Sequence, residues 1–147
     1  MPSLREQVTS AAQRNRVIDD AERVLDQEVA DKGGLGGMAV KAGYKLVKSV
    51  KPGFVREVID SLLDEFLDAL DPVYQEALAK QEPPARYLEQ NAGRVADALL
   101  KITDLRTERS RHTSVKVMYE KLRPAAKKHV EAAAPRLGRL LETYAAK

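Results

Sequence analysis

Apolar residues recur along this chain at intervals of three and four and almost never alternate, so the pattern predicts helices separated by short breaks and no convincing strand. Ser3-Leu4-Arg5-Glu6 has the spacing of a capping box, in which the Ser hydroxyl and the Glu carboxylate satisfy backbone amides reciprocally. A first helix is therefore expected from Ser3 to Arg14. Asn15 is expected to cap a second helix with the stripe Val17, Ile18, Ala21, Val24, Leu25 and Val29, ended by Gly33-Gly34. A third helix, 35–50, places Leu35, Ala39, Ala42, Gly43, Leu46 and Val50 on one face and Lys41, Lys45 and Lys48 opposite. Gly43, with Gly36 and Ala39 nearby in projection, leaves a strip poor in side chains where another backbone or a ligand can come close. A mid-helix Gly costs about 1 kcal/mol in helix propensity, so a gain elsewhere is expected to offset it.

Pro52-Gly53 turns the chain into its most regular segment, 54–70. Phe54, Val55, Val58, Ile59, Leu62, Leu63, Phe66 and Leu70 are expected inward there, and Glu57, Asp60, Asp64 and Asp68 outward. Asp71-Pro72 reads as the cap and first turn of a shorter helix to Lys80, and 81–84 as a linker too short to divide domains. Tyr87, Leu88, Val95, Ala98, Leu99 and Ile102 continue the helical pattern, with a break near Asn91. Thr113-Ser114 caps or interrupts the next stretch, Pro124 suits the first turn of a last helix, and Pro135 is expected to kink or split it. The expectation is a single all-α domain, a compact bundle of six to eight helices without internal repeat.

At 147 residues the chain is long enough to bury roughly two thirds of the surface its unfolded form exposes. Cysteine is absent, which excludes disulfides, thiolate metal sites and cysteine nucleophiles and fits a reducing compartment. No apolar leader region and no long uncharged apolar run occur, so a cytoplasmic protein without membrane association is expected. The formal net charge is only +3, but it is unevenly spread. Residues 1–52 hold nine Lys/Arg against seven Asp/Glu, residues 53–103 five against ten, and residues 104–147 eleven against five. An acidic middle between basic flanks can serve a partner or neutralise itself within the fold.

The runs Val29-Ala30-Asp31-Lys32-Gly33-Gly34-Leu35, Lys41-Ala42-Gly43-Tyr44-Lys45, Lys51-Pro52-Gly53-Phe54 and Leu122-Arg123-Pro124-Ala125-Ala126-Lys127-Lys128-His129-Val130 resemble a family of small, all-helical, uncharacterised bacterial proteins. The resemblance covers nearly the whole chain. It implies a bacterial, soluble context and carries no activity, cofactor or catalytic residue.

Between Asp31 and Glu57 there is no acidic residue, while Lys32, Lys41, Lys45, Lys48, Lys51 and Arg56 surround the glycine cluster 33–37. Exposed amides at Gly36 and Gly37 beside Lys41 are the elements of an anion site at a helix N-terminus. Gly34-Leu35-Gly36-Gly37-Met38-Ala39 also spells a dinucleotide fingerprint, but a helix precedes it where that motif needs a strand. The two histidines, His112 and His129, sit among Arg and Lys and read as parts of a solvated basic face; Glu108 lies one turn before His112 on one predicted helix face. Neither paired Glu-x-x-His elements nor further metal ligands are present, so no metal and no cofactor is expected. No nucleophile elbow occurs, and the Asp64-Glu65 carboxylates follow an outer helix face.

Two readings remain. The first is a non-enzymatic binding or assembly module whose surface centres on Lys32, Gly36, Gly37, Lys41, Lys45, Lys48, Lys51 and Arg56, taking an anionic ligand, a protein partner or a second copy of the chain. The second is a nonspecific electrostatic nucleic-acid binder, which adds a basic face of Arg106, Arg109, Arg111, Lys116, Lys127 and Lys128, together with Lys121 and Arg123. Lysines predominate where base reading prefers Arg, Asn or Gln, which argues against sequence-specific recognition.

Overall fold

Every regular element is an α-helix because the three-to-four periodicity is sustained and the breaks are short. The computed structural model describes residues 3–10 and 12–145, without the side chains of residues 34–36. Among them are α1 (Leu4–Val8), α2 (Arg14–Asp31), α3 (Gly34–Lys48), α4 (Phe54–Ala79), α5 (Pro84–Gln90), α6 (Ala92–Glu108) and α7 (Thr113–Tyr144), and no strand. Ser3 caps α1 as its spacing predicts, its hydroxyl accepting the Glu6 N–H at 3.2 Å. The break near Asn91 is real, and Asn91 both ends α5 and precedes α6.

Three boundaries differ from the sequence expectation. The first helix stops at Val8 because the Gln13 side-chain amide donates to the Gln7 and Val8 carbonyls, at 2.5 and 3.2 Å, and Gln13, not Asn15, precedes α2. Pro72 does not start a new helix, for α4 continues through it to Ala79. A proline inside a helix costs about 3 kcal/mol. The continued stripe of Val73, Tyr74 and Ala77 is buried on the far side, and apolar side chains of this size return about 1.5–3 kcal/mol each. α7 likewise runs unbroken through Pro124 and Pro135, and Thr113 and Ser114 are its first residues, with no side-chain cap bond. Pro72 and Pro124 both face solvent, where water can take the carbonyl that lost its N–H partner.

α4 is the central strut, packed against α1, α2, α3, α5 and α6, while α7 closes the bundle over α2, α3, α5 and α6. In the core Leu4, Val8, Val17, Val73, Tyr74, Leu88 and Val95 are almost wholly buried. The acidic row of α4 holds helices together. Asp68 accepts Arg5 of α1 at 2.6 Å, Asp60 and Asp64 accept Arg14 of α2 at 2.9 Å each, and Glu65 accepts Arg106 of α6 at 2.5 Å. Among the described residues, no helix is long and apolar enough to cross a membrane.

Candidate functional site

Beside this core, with Val8 and Val17 on its wall, the bundle is hollow. The apolar stripe of α2 predicted from sequence is present, but only Val17 and Ile18 are fully buried, and Val24, Leu25 and Val29 stay half-buried although they face α4 and α7. The matching stripe of α7, at Val130, Ala133, Leu137 and Leu140, is half-buried too. Between them, with Ile59, Leu62 and Phe66 of α4 and Leu99 and Leu100 of α6, lies a cavity of about 350 Å³. An engineered void of roughly 150 Å³ lined by such side chains stays dry and takes up benzene, so this one exceeds a packing defect.

Among the described residues, the polar ones in the lining are Glu28, Lys32, Thr103 and His129, and they meet the cavity almost entirely with carbon. Glu28 and Lys32 are one turn apart at the end of α2 and form an ion pair of 3.3 Å, their side chains 12% and 15% exposed. Arg136 of α7 donates to the other Glu28 oxygen at 2.8 Å and to Asp31 at 2.5 Å, tying α7 to α2. His129 lies beside this group. Burial holds its imidazole below the usual histidine range, the Lys32 charge lowers it further, and Glu28 opposes the shift in part. Thr103 is already engaged, its hydroxyl 2.7 Å from that of Tyr119. His129 is therefore not on a solvated basic face, in contrast to the exposed Lys128 next to it.

The lysine-rich segment is divided by the fold. Lys32 belongs to the cavity wall. Lys48 pairs with Asp26 of α2 at 3.6 Å and lies over the Tyr44 ring, Lys51 pairs with Glu57 at 3.1 Å, and Arg56 is bonded to Asp19. Lys41 and Lys45 are exposed and have no ion-pair partner among the described residues. The face of α3 is also rotated from its predicted setting. Gly37 and Gly43 are the buried positions, Val40, Tyr44, Val47 and Val50 are half-buried, and Ala39, Ala42 and Leu46 look outward beside Met38; the side chain of Leu35 lies outside the described residues.

The rotation follows from close approach. A Cβ on Gly37 would stand 2.6 Å from the Lys32 carbonyl carbon, and one on Gly43 would stand 2.7 Å from Met118 Sδ. Gly43 thus receives side chains of α7, in keeping with the sparse strip predicted there. The Gly37 N–H donates to the Gly33 carbonyl at 3.0 Å and is not an open amide; Gly36 lies in the first turn of α3.

Of the second basic group, Arg106 pairs with Glu65, Lys127 with Asp97 at 3.1 Å and Arg123 with Asp104 at 2.8 Å. Arg109, Arg111, Lys116, Lys121 and Lys128 have no ion-pair partner among the described residues. Arg123, Asp104, Tyr119 and Lys116 line an open polar groove between α6 and α7. Glu108 and His112 do not share a helix face, because α6 ends between them and the His112 ring meets Phe54 edge-on at 5.1 Å. Among the described residues, no three His, Cys, Asp or Glu are grouped to hold a metal ion.

Sequence reasoning missed the cavity because stripe residues look alike whether they meet a neighbour or an empty space. One signal was legible: Glu28, Lys32 and His129 border apolar stripes on two different helices, so all three approach one seam. The model of a family of unknown function matches residues 4–145. No curated protein and no solved structure matches the chain.

Proposed function

The chain belongs to that family, DUF6918, and we propose that this member is a non-enzymatic binding protein that holds a small apolar ligand in the cavity between α2, α4, α6 and α7. The carrying observation is the size and composition of the space. The space is more than twice the roughly 150 Å³ of an apolar void that takes up benzene, and its wall is almost wholly apolar. Water is a poor occupant, since it needs two to four polar partners and the wall offers few. An apolar ligand recovers about 0.8 kcal/mol per buried methylene. The polar lining consists of one ion pair, one imidazole and one engaged threonine, which suits retention of a ligand better than its transformation.

The test is thermal unfolding with dodecanol as a neutral probe. Dodecanol at a hundredfold excess over its Kd stabilises by about 2.7 kcal/mol, which raises Tm by roughly 8 °C for a chain of this size. Ala133→Leu, which fills the cavity wall, is expected to raise Tm without ligand and to abolish the response. A wild-type protein indifferent to dodecanol overturns the reading.

A second reading, electrostatic contact with nucleic acid, is favoured by Lys41 and Lys45, which are exposed and have no ion-pair partner among the described residues. If it holds, Lys41→Gln with Lys45→Gln flattens the salt dependence of duplex DNA binding by about two units of log–log slope. Equal slopes for the wild type and the double variant dismiss it.

A further inference from the structure

We infer that the cavity takes a single-chain amphiphile with a carboxylate head, its chain in the apolar body and its head between Lys32 Nζ and the His129 imidazole. The inference deepens the cavity reading above and rests on it. A cavity of about 350 Å³, more than twice the roughly 150 Å³ that takes up benzene, has room for an alkyl chain, and dodecanoate serves as the probe.

The charges near the head decide its sign. Glu28 and Asp31 are matched by Lys32 and Arg136, so the group is neutral before a ligand arrives. Arg136 holds both acids at the shorter distances, 2.8 and 2.5 Å, whereas Lys32 reaches Glu28 only at 3.3 Å. Lys32 is thus the loosely held member, and its ammonium has three N–H donors of which Glu28 uses one. Arg136 alone can keep Glu28 satisfied while Lys32 turns to the ligand. His129 supplies a second donor, being an imidazole already set against Lys32 and Glu28 at the same wall. One ammonium and one imidazole suit a small monoanion; a phosphate, with more charge and more acceptors, is better matched by an arginine fork, and the fork here is occupied by Glu28 and Asp31. A second carboxylate at this spot would otherwise meet Glu28 as a like charge, which is why the arginine clamp on Glu28 matters.

The experiment compares dodecanoate with dodecanol on the wild-type chain, Lys32→Met and His129→Leu by calorimetry, with circular dichroism to confirm folding. The wild type is expected to prefer dodecanoate, and Lys32→Met to weaken dodecanoate at least about tenfold while leaving dodecanol unchanged. His129→Leu weakens dodecanoate in the same sense and leaves dodecanol bound. Equal binding of the two ligands by the wild type, or a dodecanoate affinity indifferent to Lys32→Met, overturns the carboxylate head and leaves the cavity reading standing. Failure of both ligands to bind the folded wild type overturns both. Should Lys32→Met not fold, nuclear Overhauser contacts between the methylene beside the carboxylate of dodecanoate and the His129 ring in the wild-type protein decide the matter, and their absence in a bound complex rejects the inference.

Discussion

A Cβ built on Gly138 would stand 2.3 Å from the Cα of Ala85, so α7 and α5 meet there backbone to backbone. One turn later on α7, the Glu142 carboxylate accepts the Ala85 N–H at 3.0 Å, satisfying an amide that the first turn of a helix leaves unpaired. The two contacts fix α5 on the closing helix. Gly138→Ala must therefore push two backbones apart and is expected to destabilise by about 3 kcal/mol, read as a lower urea midpoint at unchanged slope. Gly93→Ala is the control: its added methyl would meet only the ends of Glu131 and Lys127, at 3.6 and 3.9 Å, and should be neutral or slightly stabilising. Equal losses at the two positions would contradict the packing described.

Gln81 carries φ of 57° just past the end of α4, and its N–H and that of Glu82 return to the carbonyls of Leu78 and Ala77. That is the place where helices commonly use glycine, because a side chain in the left-handed region crowds its own carbonyl. Gln81→Gly is expected to stabilise by about 1 kcal/mol, measured as a higher midpoint of thermal or urea unfolding. A destabilised variant would mean that the glutamine side chain holds the turn.

Legibility differed between the helices and the spaces they enclose. Helix type, the Ser3 cap and the Asn91 break were readable because each depends on residues within one turn of one another. The prolines mislead, since the sequence shows only the local cost of Pro72, Pro124 and Pro135, while burial of Val73, Tyr74, Ala134 and Leu141 is decided by partners distant in sequence. The same holds for charge: nothing local tells that Asp60 and Asp64 wait for Arg14, or that Lys48 is met by Asp26 while Lys45 is not. The cavity is the extreme case, being a property of several helices together and of none singly.

Tyr119 donates to Asp104 at 2.5 Å, and burial first, then this carboxylate, push its phenol up to about 12. A phenol that keeps its proton longer when folded than when unfolded favours folding below the ordinary tyrosine range, and that advantage disappears as pH rises through 10 to 12. Alkaline unfolding should therefore include a transition in this window. Asp104→Asn removes the carboxylate but not the burial, so phenolate absorbance should show Tyr119 ionising earlier, though still later than an exposed tyrosine. No change on substitution would mean that burial acts alone.

Acid unfolding should fall into two windows, an upper one set by His129 and a lower one set by carboxylates held low, Glu76 and also Asp104, which Arg123 and then Tyr119 hold down. The His129 imidazole is lowered by burial, then by Lys32, with Glu28 opposing, so the unfolded chain takes up its proton first as pH drops. Stability is therefore fully present above the ordinary histidine value of 6.5, declines below it, and levels off once pH has passed the lower folded value. Glu76 moves later. Arg94, donating at 2.6 and 2.9 Å, and then the Tyr87 hydroxyl hold its carboxyl at about 2, against 4.5 in the open chain. Its contribution is present above 4.5 and is lost as pH falls from there through 2. Its side chain is 39% exposed, so salt should shrink this lower step more than that of the half-buried histidine. Urea midpoints recorded against pH check both: His129→Leu should erase the upper decline and leave the lower, Arg94→Gln should shrink the lower and leave the upper, since Tyr87 still holds Glu76 and Arg123 still holds Asp104, and a profile in which either variant flattens both windows would refute the separation.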